Sequence, residues 1–171
     1  MVNQMKAAKM GQITEEMRIV AKEEDESPEK ICRQVDAGRI VITRNMEREN
    51  VVPLGIGEGL RTKINANVGT SADLCDLGLE VEKAKTAVNY GADTVMDLST
   101  SGNLDEIRRM ILKAVNVPIG TVPIYQTAIG TIVDKGAIIH MNEDDLFNTI
   151  EKHAKDGVDF MTVHCGVTKQ I

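Results

Sequence analysis

From Lys63 onward the apolar positions of this chain switch back and forth between strand spacing and helix spacing. Lys63, Asn65 and Asn67 interleave with Ile64, Ala66 and Val68, so period-two alternation puts the polar trio on one face of a strand at 64–67 and the apolar trio on the other. Val81, Ala84 and Val88 then form the stripe of a helix at 79–90, which Gly91 stops. A second strand is predicted at 94–97. Asn103, with Glu106 three residues on, caps a helix whose buried face reads Leu104, Ile107, Met110, Ile111 and Ala114. Pro118 and Pro123 bound a third strand at 119–122. Asn142 caps a last helix that turns Leu146, Ile150 and Ala154 inward and ends at Gly157, and a fourth strand follows at 160–163.

Two of these junctions repeat. Gly91-Ala92-Asp93 runs into Thr94-Val95-Met96 as Gly157-Val158-Asp159 runs into Phe160-Met161-Thr162. The same helix stop, turn acid and strand entry recur, as expected of a reused βα unit. Repeated βα units imply parallel strands with right-handed crossovers, in either a closed barrel or an open doubly wound sheet.

The first fifty residues differ. Thr14 before Glu15 and Glu16 reads as the cap of a short charged helix, and Ser27-Pro28 starts another that Gly38 ends. The acidic run Glu23-Glu24-Asp25-Glu26 between them reads as solvated. A short strand at 39–43 and a polar linker at 44–50 follow. The chain therefore divides into a helical lead-in at 1–50 and a βα region at 51–171. At their junction Gly55, Gly57 and Gly59 offer permissive backbone that could approach a phosphate. They precede the first βα strand, however, which is the wrong end for a barrel site, and they are expected to be a structural lead-in.

Composition narrows the partners. The 171 residues are 42% hydrophobic, enough for one sizeable core, but only 2% aromatic, with two Tyr and no Trp, so aliphatics and nine Met must fill it. A net charge of −6 argues against a nucleic-acid partner, which clustered Lys and Arg would have to hold. Cys32, Cys75 and Cys165 are far apart and form no CxxC pair, which suits a reducing cytosol and completes neither a zinc nor an iron–sulfur motif. No run of ~18 apolar residues is present, so a membrane partner is not expected and a cytoplasmic protein is.

In either parallel architecture the ligand sits at the C-terminal strand ends. Asn67 with Gly69-Thr70-Ser71 falls there, as do Met96, Asp97 and the 99–102 loop, then Tyr125 and Gln126 after Pro123, and finally His164, Cys165 and Gly166. Free amides at 99–102 could hold an anion, although the spacing favours simple helix capping. Asp97 could serve as acid, base or orienting group. Adjacent strand residues point to opposite faces, which leaves His164 as the site candidate and Cys165 as a core thiol. His153, near the end of the last helix, suits the dipole as a cation and needs no other role.

Four segments, GIGEGLRTKINANVGTS, GADTVMDLSTSG, VPIGTVPIYQT and GVDFMTVHCGV, occur in this order over about 55–167 and closely resemble the phosphomethylpyrimidine synthase family of thiamine biosynthesis. QMKAAKMGQITEEM resembles that family's lead-in. The resemblance implies a TIM-type (β/α)8 barrel, of which this chain would supply the first half with about four strands, after a small helical N-terminal region. It implies a radical lyase reaction that converts aminoimidazole ribotide to hydroxymethylpyrimidine phosphate with S-adenosylmethionine and a 4Fe–4S cluster, alongside zinc. By the same resemblance Asn67, Met96, Tyr125 and His164 are substrate-binding positions. The chain departs from the family pattern at Ser101, usually Gly, and at Thr127, usually Ala.

The family's Ser-Arg-Gly and Asp-Gly-Leu-Arg segments, its zinc histidines and its three-cysteine cluster motif have no counterpart here. The cluster and zinc ligands are thus expected outside this chain, which reads as an N-terminal portion, inactive alone, with no catalytic or metal-binding residue of its own. The alternative is a non-catalytic half-barrel that binds a ribotide or self-associates. Open strand edges and apolar helix faces make a homodimer the expected state. Glu58 and Arg61 receive no role from the sequence.

Overall fold

The computed structural model describes residues 3–166. Three short helices open the chain: α1 (Gln4–Lys9), α2 (Glu15–Glu23) and α3 (Pro28–Asp36). Asn3, Thr14 and Ser27 cap them, each side-chain oxygen accepting a backbone N–H from the first turn. α2 and α3 begin at the caps the sequence indicates, whereas α1 has only six residues and too little apolar periodicity to announce itself. β1 (Ile40–Thr43) pairs antiparallel with β2 (Leu54–Gly57), and this hairpin straddles the 50/51 division. Met17, Val20, Ile31, Val35 and Ile40 form a first small core.

The glycines expected to form a lead-in loop lie instead within and just beyond β2. A Cβ on Gly55 would meet Val20 at 2.4 Å, and one on Gly57 would sit 2.0 Å from the Arg39 carbonyl oxygen. Their smallness lets a strand press against α2 and β1, a requirement that only the tertiary contact reveals.

The second layer system is α/β. β3 (Asn65–Val68), β4 (Thr94–Asp97), β5 (Ile119–Thr121) and β6 (Phe160–Met161) form one parallel sheet in sequential order. α4 (Leu77–Asn89) joins β3 to β4, and α5 (Leu104–Ala114) joins β4 to β5. Two helices, α6 (Pro123–Lys135) and α7 (Glu143–Asp156), separate β5 from β6, with a short 3-10 turn between them. Val68, Val95 and Ile119 from the strands meet Ala84, Ile107 and Ile111 from the helices in a second core. The alternate strand positions, Asn65, Asn67 and Met96 among them, face away from this core. That face is open, and Asn65 and Asn67 on it are exposed.

α6 is not signalled by the sequence, in which 123–126 reads only as the end of the third strand. Its turns carry Thr127, Thr131 and Gly130, which blur an apolar stripe, and the buried threonines return their hydroxyls to the carbonyls of Pro123 and Thr127. The face of α5 also differs from expectation, since Met110 is exposed while Arg108 and Leu112 are buried. On α7, Ala154 is exposed and His153 is buried.

The repeated junction acids do matching work. Asp93 donates its N–H to the Ile64 carbonyl (2.8 Å) and takes the Ile64 N–H on its carboxylate (2.7 Å). Asp159 does the same with Ile119 (2.9 and 2.8 Å). Each acid thereby closes the entry of its strand onto a neighbour, and each binds an arginine from the chain ahead of the parallel sheet, Arg61 and Arg48 respectively. Arg61 gains a structural role by this, and Glu58 pairs with Arg39 at the surface. Glu24, from the acidic run read as solvated, is buried against Lys63 (2.6 Å) and accepts the Arg61 N–H.

Residues 44–50, expected to be a polar linker, are the deepest of these ties. Arg48 is 5% exposed and ion-paired with Asp159, while its other N–H groups reach the carbonyls of Leu112 (3.0 Å), Val115 (2.7 Å) and Val117 (3.1 Å). α5 lacks a C-terminal glycine, and Arg48 together with Asn50 satisfies its last carbonyls. Asn45 caps α7 likewise, through Ala154 and Val158.

Because a buried ion pair that loses one partner leaves an uncompensated charge, Arg48→Ala is expected to cost about 3–5 kcal/mol in urea unfolding. Arg61→Ala, at an exposed guanidinium, is expected to move the midpoint far less. Equal shifts for the two variants would contradict the assignment of Arg48 as the principal tie.

Candidate functional site

Sheet register decides which side chains are neighbours at the strand ends. Asn67 stands opposite Met96, and Met96 opposite Gly120, all on the open face. Gly120 has a specific reason to be glycine, since an added Cβ would lie 2.3 Å from the Phe160 ring, which lies over it. Asn65 donates to the Asn67 side-chain oxygen (2.9 Å) and accepts from Thr94 (2.8 Å), which orients the Asn67 amide. Beneath this line, Asn65, Thr94, Met96 and Phe160 border an open cavity of about 600 Å³ whose other wall runs from Ile56 and Leu60 to Arg61, Thr62 and Lys63.

The loops beyond β3 and β4 are zipped together. Leu98 and Thr100 donate to the carbonyls of Val68 (2.8 Å) and Thr70 (2.9 Å), and Thr70 donates to Ser99 Oγ (3.1 Å). Glu80, a buried carboxylate on α4, accepts the Gly69 N–H at 2.6 Å. The Ser99 amide is engaged by Asp97 and the Thr100 amide by Thr70, so neither is free to hold an anion. Asp97 faces the helices rather than the open side; its carboxylate accepts the Ser99 N–H (2.9 Å) and Oγ–H (2.6 Å). Burial pushes the Asp97 pKa up, against the two Ser99 hydrogen bonds. Of the three roles open to it, orienting the loop is the one its contacts support.

Tyr125 is carried on the first turn of α6, 38% exposed, because Pro123 starts that helix directly after the strand. Its ring centroid lies 6.3 Å from that of His164. His164 follows β6 and is exposed. Thr162, two residues before it, reaches the Met96 sulfur at 3.9 Å. The structure thus joins Asn67 to Met96, Met96 to the β6 end, and His164 to Tyr125. Cys165, expected in the core, is exposed because β6 stops at Met161 and strand alternation no longer holds beyond it.

The residue that sequence reasoning set aside is His153. It is 3% exposed, with Nδ1 2.9 Å from Thr121 Oγ1 and Nε2 2.7 Å from Gln126 Oε1. Arg108 also donates to Gln126 Oε1 (2.7 Å), and the Gln126 amide donates to Asp105 (2.7 Å). Burial and the neighbouring Arg108 push the His153 pKa down to about 4, so the ring is neutral, not the cation proposed for a helix end. Burial would raise Asp105, but hydrogen bonds from Lys152, Gln126 and Arg108 outweigh it and hold that carboxyl well below the ordinary range. Arg108 pairs with Asp156 at 2.5 Å as well. No local pattern marks this cluster, since its members come from α5, β5, α6 and α7.

Residues 3–171 match the Radical SAM ThiC family. The chain belongs to that family. It is 57% identical over 170 residues to a phosphomethylpyrimidine synthase of Pyrococcus furiosus and 59% identical over 170 residues to one of Thermodesulfovibrio yellowstonii. One of Methanocaldococcus jannaschii is 56% identical over 169 residues. Each alignment takes in 99% of this chain, which spans about 40% of the length of those relatives.

The family's name implies a radical cluster, and the cysteines present do not fit one. Cys32 is packed between the Ala8 and Gln12 carbonyls, Cys75 lies against Gly102, and Cys165 is exposed beyond β6. Among the described residues no three His, Cys, Asp or Glu side chains form a metal site. No helix among those residues is long and apolar enough to cross a membrane.

His153 makes stability depend on pH with a defined sign. The unfolded ring takes up a proton below about 6.5 while the native ring does not, so stability is full above that value and falls as pH drops toward 4. Wild type is expected to lose about 2–3 kcal/mol between pH 7 and 4.5 relative to His153→Gln, measured by urea unfolding at each pH. Asp97, raised instead of lowered, contributes in the opposite direction, and the variant comparison removes it. Parallel curves for the two proteins would show that His153 is not held neutral.

Proposed function

We propose that this chain forms one wall of the ribotide pocket of a phosphomethylpyrimidine synthase. In this reading residues 51–171 are the first half of a TIM-type barrel and residues 1–50 its lead-in. Sequential strand order with the helix core on one face and an exposed polar face on the other supports a barrel wall over a doubly wound sheet. The substrate is aminoimidazole ribotide, whose contacts are Asn67, Met96, Tyr125 and His164. The observation that carries the reading is that these four, drawn from three strand ends and a helix start, fall on one linked line at the sheet's C-terminal edge.

Each contact has suitable chemistry. The Asn67 amide offers a donor and an acceptor to a heterocycle or ribose, and Met96 presents a polarisable surface to a flat ring. Tyr125 and His164 supply a hydroxyl and an imidazole. S-adenosylmethionine, a 4Fe–4S cluster and zinc belong to the reaction in this family and are assigned to residues outside this chain, which is inactive by itself. A homodimer in the cytoplasm is the proposed setting, supported by apolar side chains left bare on the outer helices, Val133 and Phe147 among them.

Titration calorimetry of the purified chain with aminoimidazole ribotide tests this. Measurable heat is expected, with Tyr125→Phe and His164→Ala each weakening affinity about tenfold, the scale of one lost polar contact. No detectable heat, or an affinity indifferent to both substitutions, would overturn binding at this site. Binding with turnover by the chain alone would overturn the assignment of the cofactor ligands elsewhere.

A further inference from the structure

Tyr125 has no anchor of its own. Its helix α6 begins at Pro123 with no side-chain cap; Pro123 packs the start of the turn into the interior, and among the described residues the one side chain of that turn hydrogen-bonded to other elements is that of the residue after Tyr125. That residue, Gln126, is fixed on both ends of its amide. Oε1 lies 2.7 Å from Arg108 Nη1 and 2.7 Å from His153 Nε2, and Nε2 donates to Asp105 at 2.7 Å.

Donor counting fixes the hydrogens. Arg108 can only donate and the Asp105 carboxylate can only accept, so the Gln126 oxygen must face Arg108 and its NH2 must face Asp105. Arg108 Nη1 also stands 3.2 Å from His153 Nε2, but the shorter contact of that nitrogen, 2.7 Å, is with Gln126 Oε1, whose second lone pair is met by a proton on Nε2. His153 Nδ1 is left as an acceptor, and Thr121 Oγ1–H, at 2.9 Å, supplies the donor. This is one neutral tautomer with every polar atom of the Gln126 amide directed, and it ties together the end of β5, the start of α6 and the end of α7.

We infer that Gln126 is a positioning residue: clamped by Arg108, His153 and Asp105, it sets the first turn of α6 and thereby the place of the Tyr125 ring against His164. The inference rests on the ribotide reading only for its consequence, since the placement of Tyr125 is a property of the free protein. Binding-competent geometry held within ~0.5 Å requires such support from behind the contact residue. Glutamine suits the task because its amide oxygen can accept from two N–H groups while its NH2 donates to a carboxylate.

Tyr125 can be watched directly, because the chain has two tyrosines and no Trp. In a Tyr90→Phe background, with Tyr90 fully at the surface, Tyr125 is the sole tyrosine, and its ring 1H–13C NMR signals report its contact with His164. Gln126→Leu is expected to shift and broaden those signals and to weaken ribotide affinity about tenfold or more, a typical cost of a misplaced contact. His153→Gln, which keeps an N–H toward Gln126, is expected to restore both toward wild type relative to His153→Phe.

Far-UV circular dichroism confirms that each variant is folded, and should Gln126→Leu not fold, the two His153 variants carry the comparison. Unchanged Tyr125 signals in Gln126→Leu, or identical signals in the two His153 variants, would overturn the positioning role. Altered Tyr125 signals in a protein that never binds the ribotide would leave the positioning standing and reject the proposed function instead.

Discussion

The buried pair of Arg48 and Asp159 is the constraint from which the rest of the architecture follows. Two charges out of water are costly, and their attraction offsets that cost only when the remaining donors and acceptors are also met. Here they are: Asp159 takes the Ile119 and Asn45 N–H groups, and Arg48 takes the carbonyls at the end of α5. One guanidinium therefore closes a helix, seats a strand and fixes the lead-in under the sheet. Glu24 with Lys63, and Arg61 with Asp93, repeat the arrangement two βα units earlier. All of these ties lie at the strand-entry end. The opposite end is left to loops, Tyr125 and His164, which is the division of labour between stability and chemistry expected of a parallel βα scaffold.

The regular part of this fold was legible because its signals are local. Asn103, Asn142, Thr14 and Ser27 sit at helix starts that the sequence names, and β4 occupies the four residues that its pattern indicates. The repeated Gly-x-Asp junctions disclosed a reused unit, though not why the acid is needed; that appears only when the carboxylate is seen to close the neighbouring strand. Failures occurred where a distant partner overrides local preference. Residues 44–50 look like a solvated linker until Leu112, Val115 and Asp159 meet them, and Gly55 and Gly57 look like a loop until α2 and β1 press against the strand. α6 escaped because its buried face is threonine, whose hydroxyls are satisfied within the helix.

The candidate site was legible in its positions and not in its support. Strand-end reasoning reached Asn67, Met96 and His164 from spacing, and Tyr125 from its rarity, before any family likeness was considered. The polar cluster behind Tyr125 was invisible because its members are spread from Asp105 to Asp156 and each has an ordinary surface reading alone. His153 shows the difference: three residues from a helix end it reads as a dipole partner, yet burial beside Arg108 makes a cation there unfavourable.

The open face of the sheet is the proposed place for a ligand. It carries Asn65, Asn67, Met96 and Phe160, with a cavity bordered by β2 on the far side, and the family assignment gives that face a candidate substrate. Amide 1H–15N spectra of the labelled chain during addition of aminoimidazole ribotide test the claim most directly. The account predicts shifts at Asn67, Met96, Tyr125 and His164, with Asn45, Arg48, Asp93 and Asp159 unmoved. Shifts confined to the strand-entry end or to the N-terminal helices would contradict it.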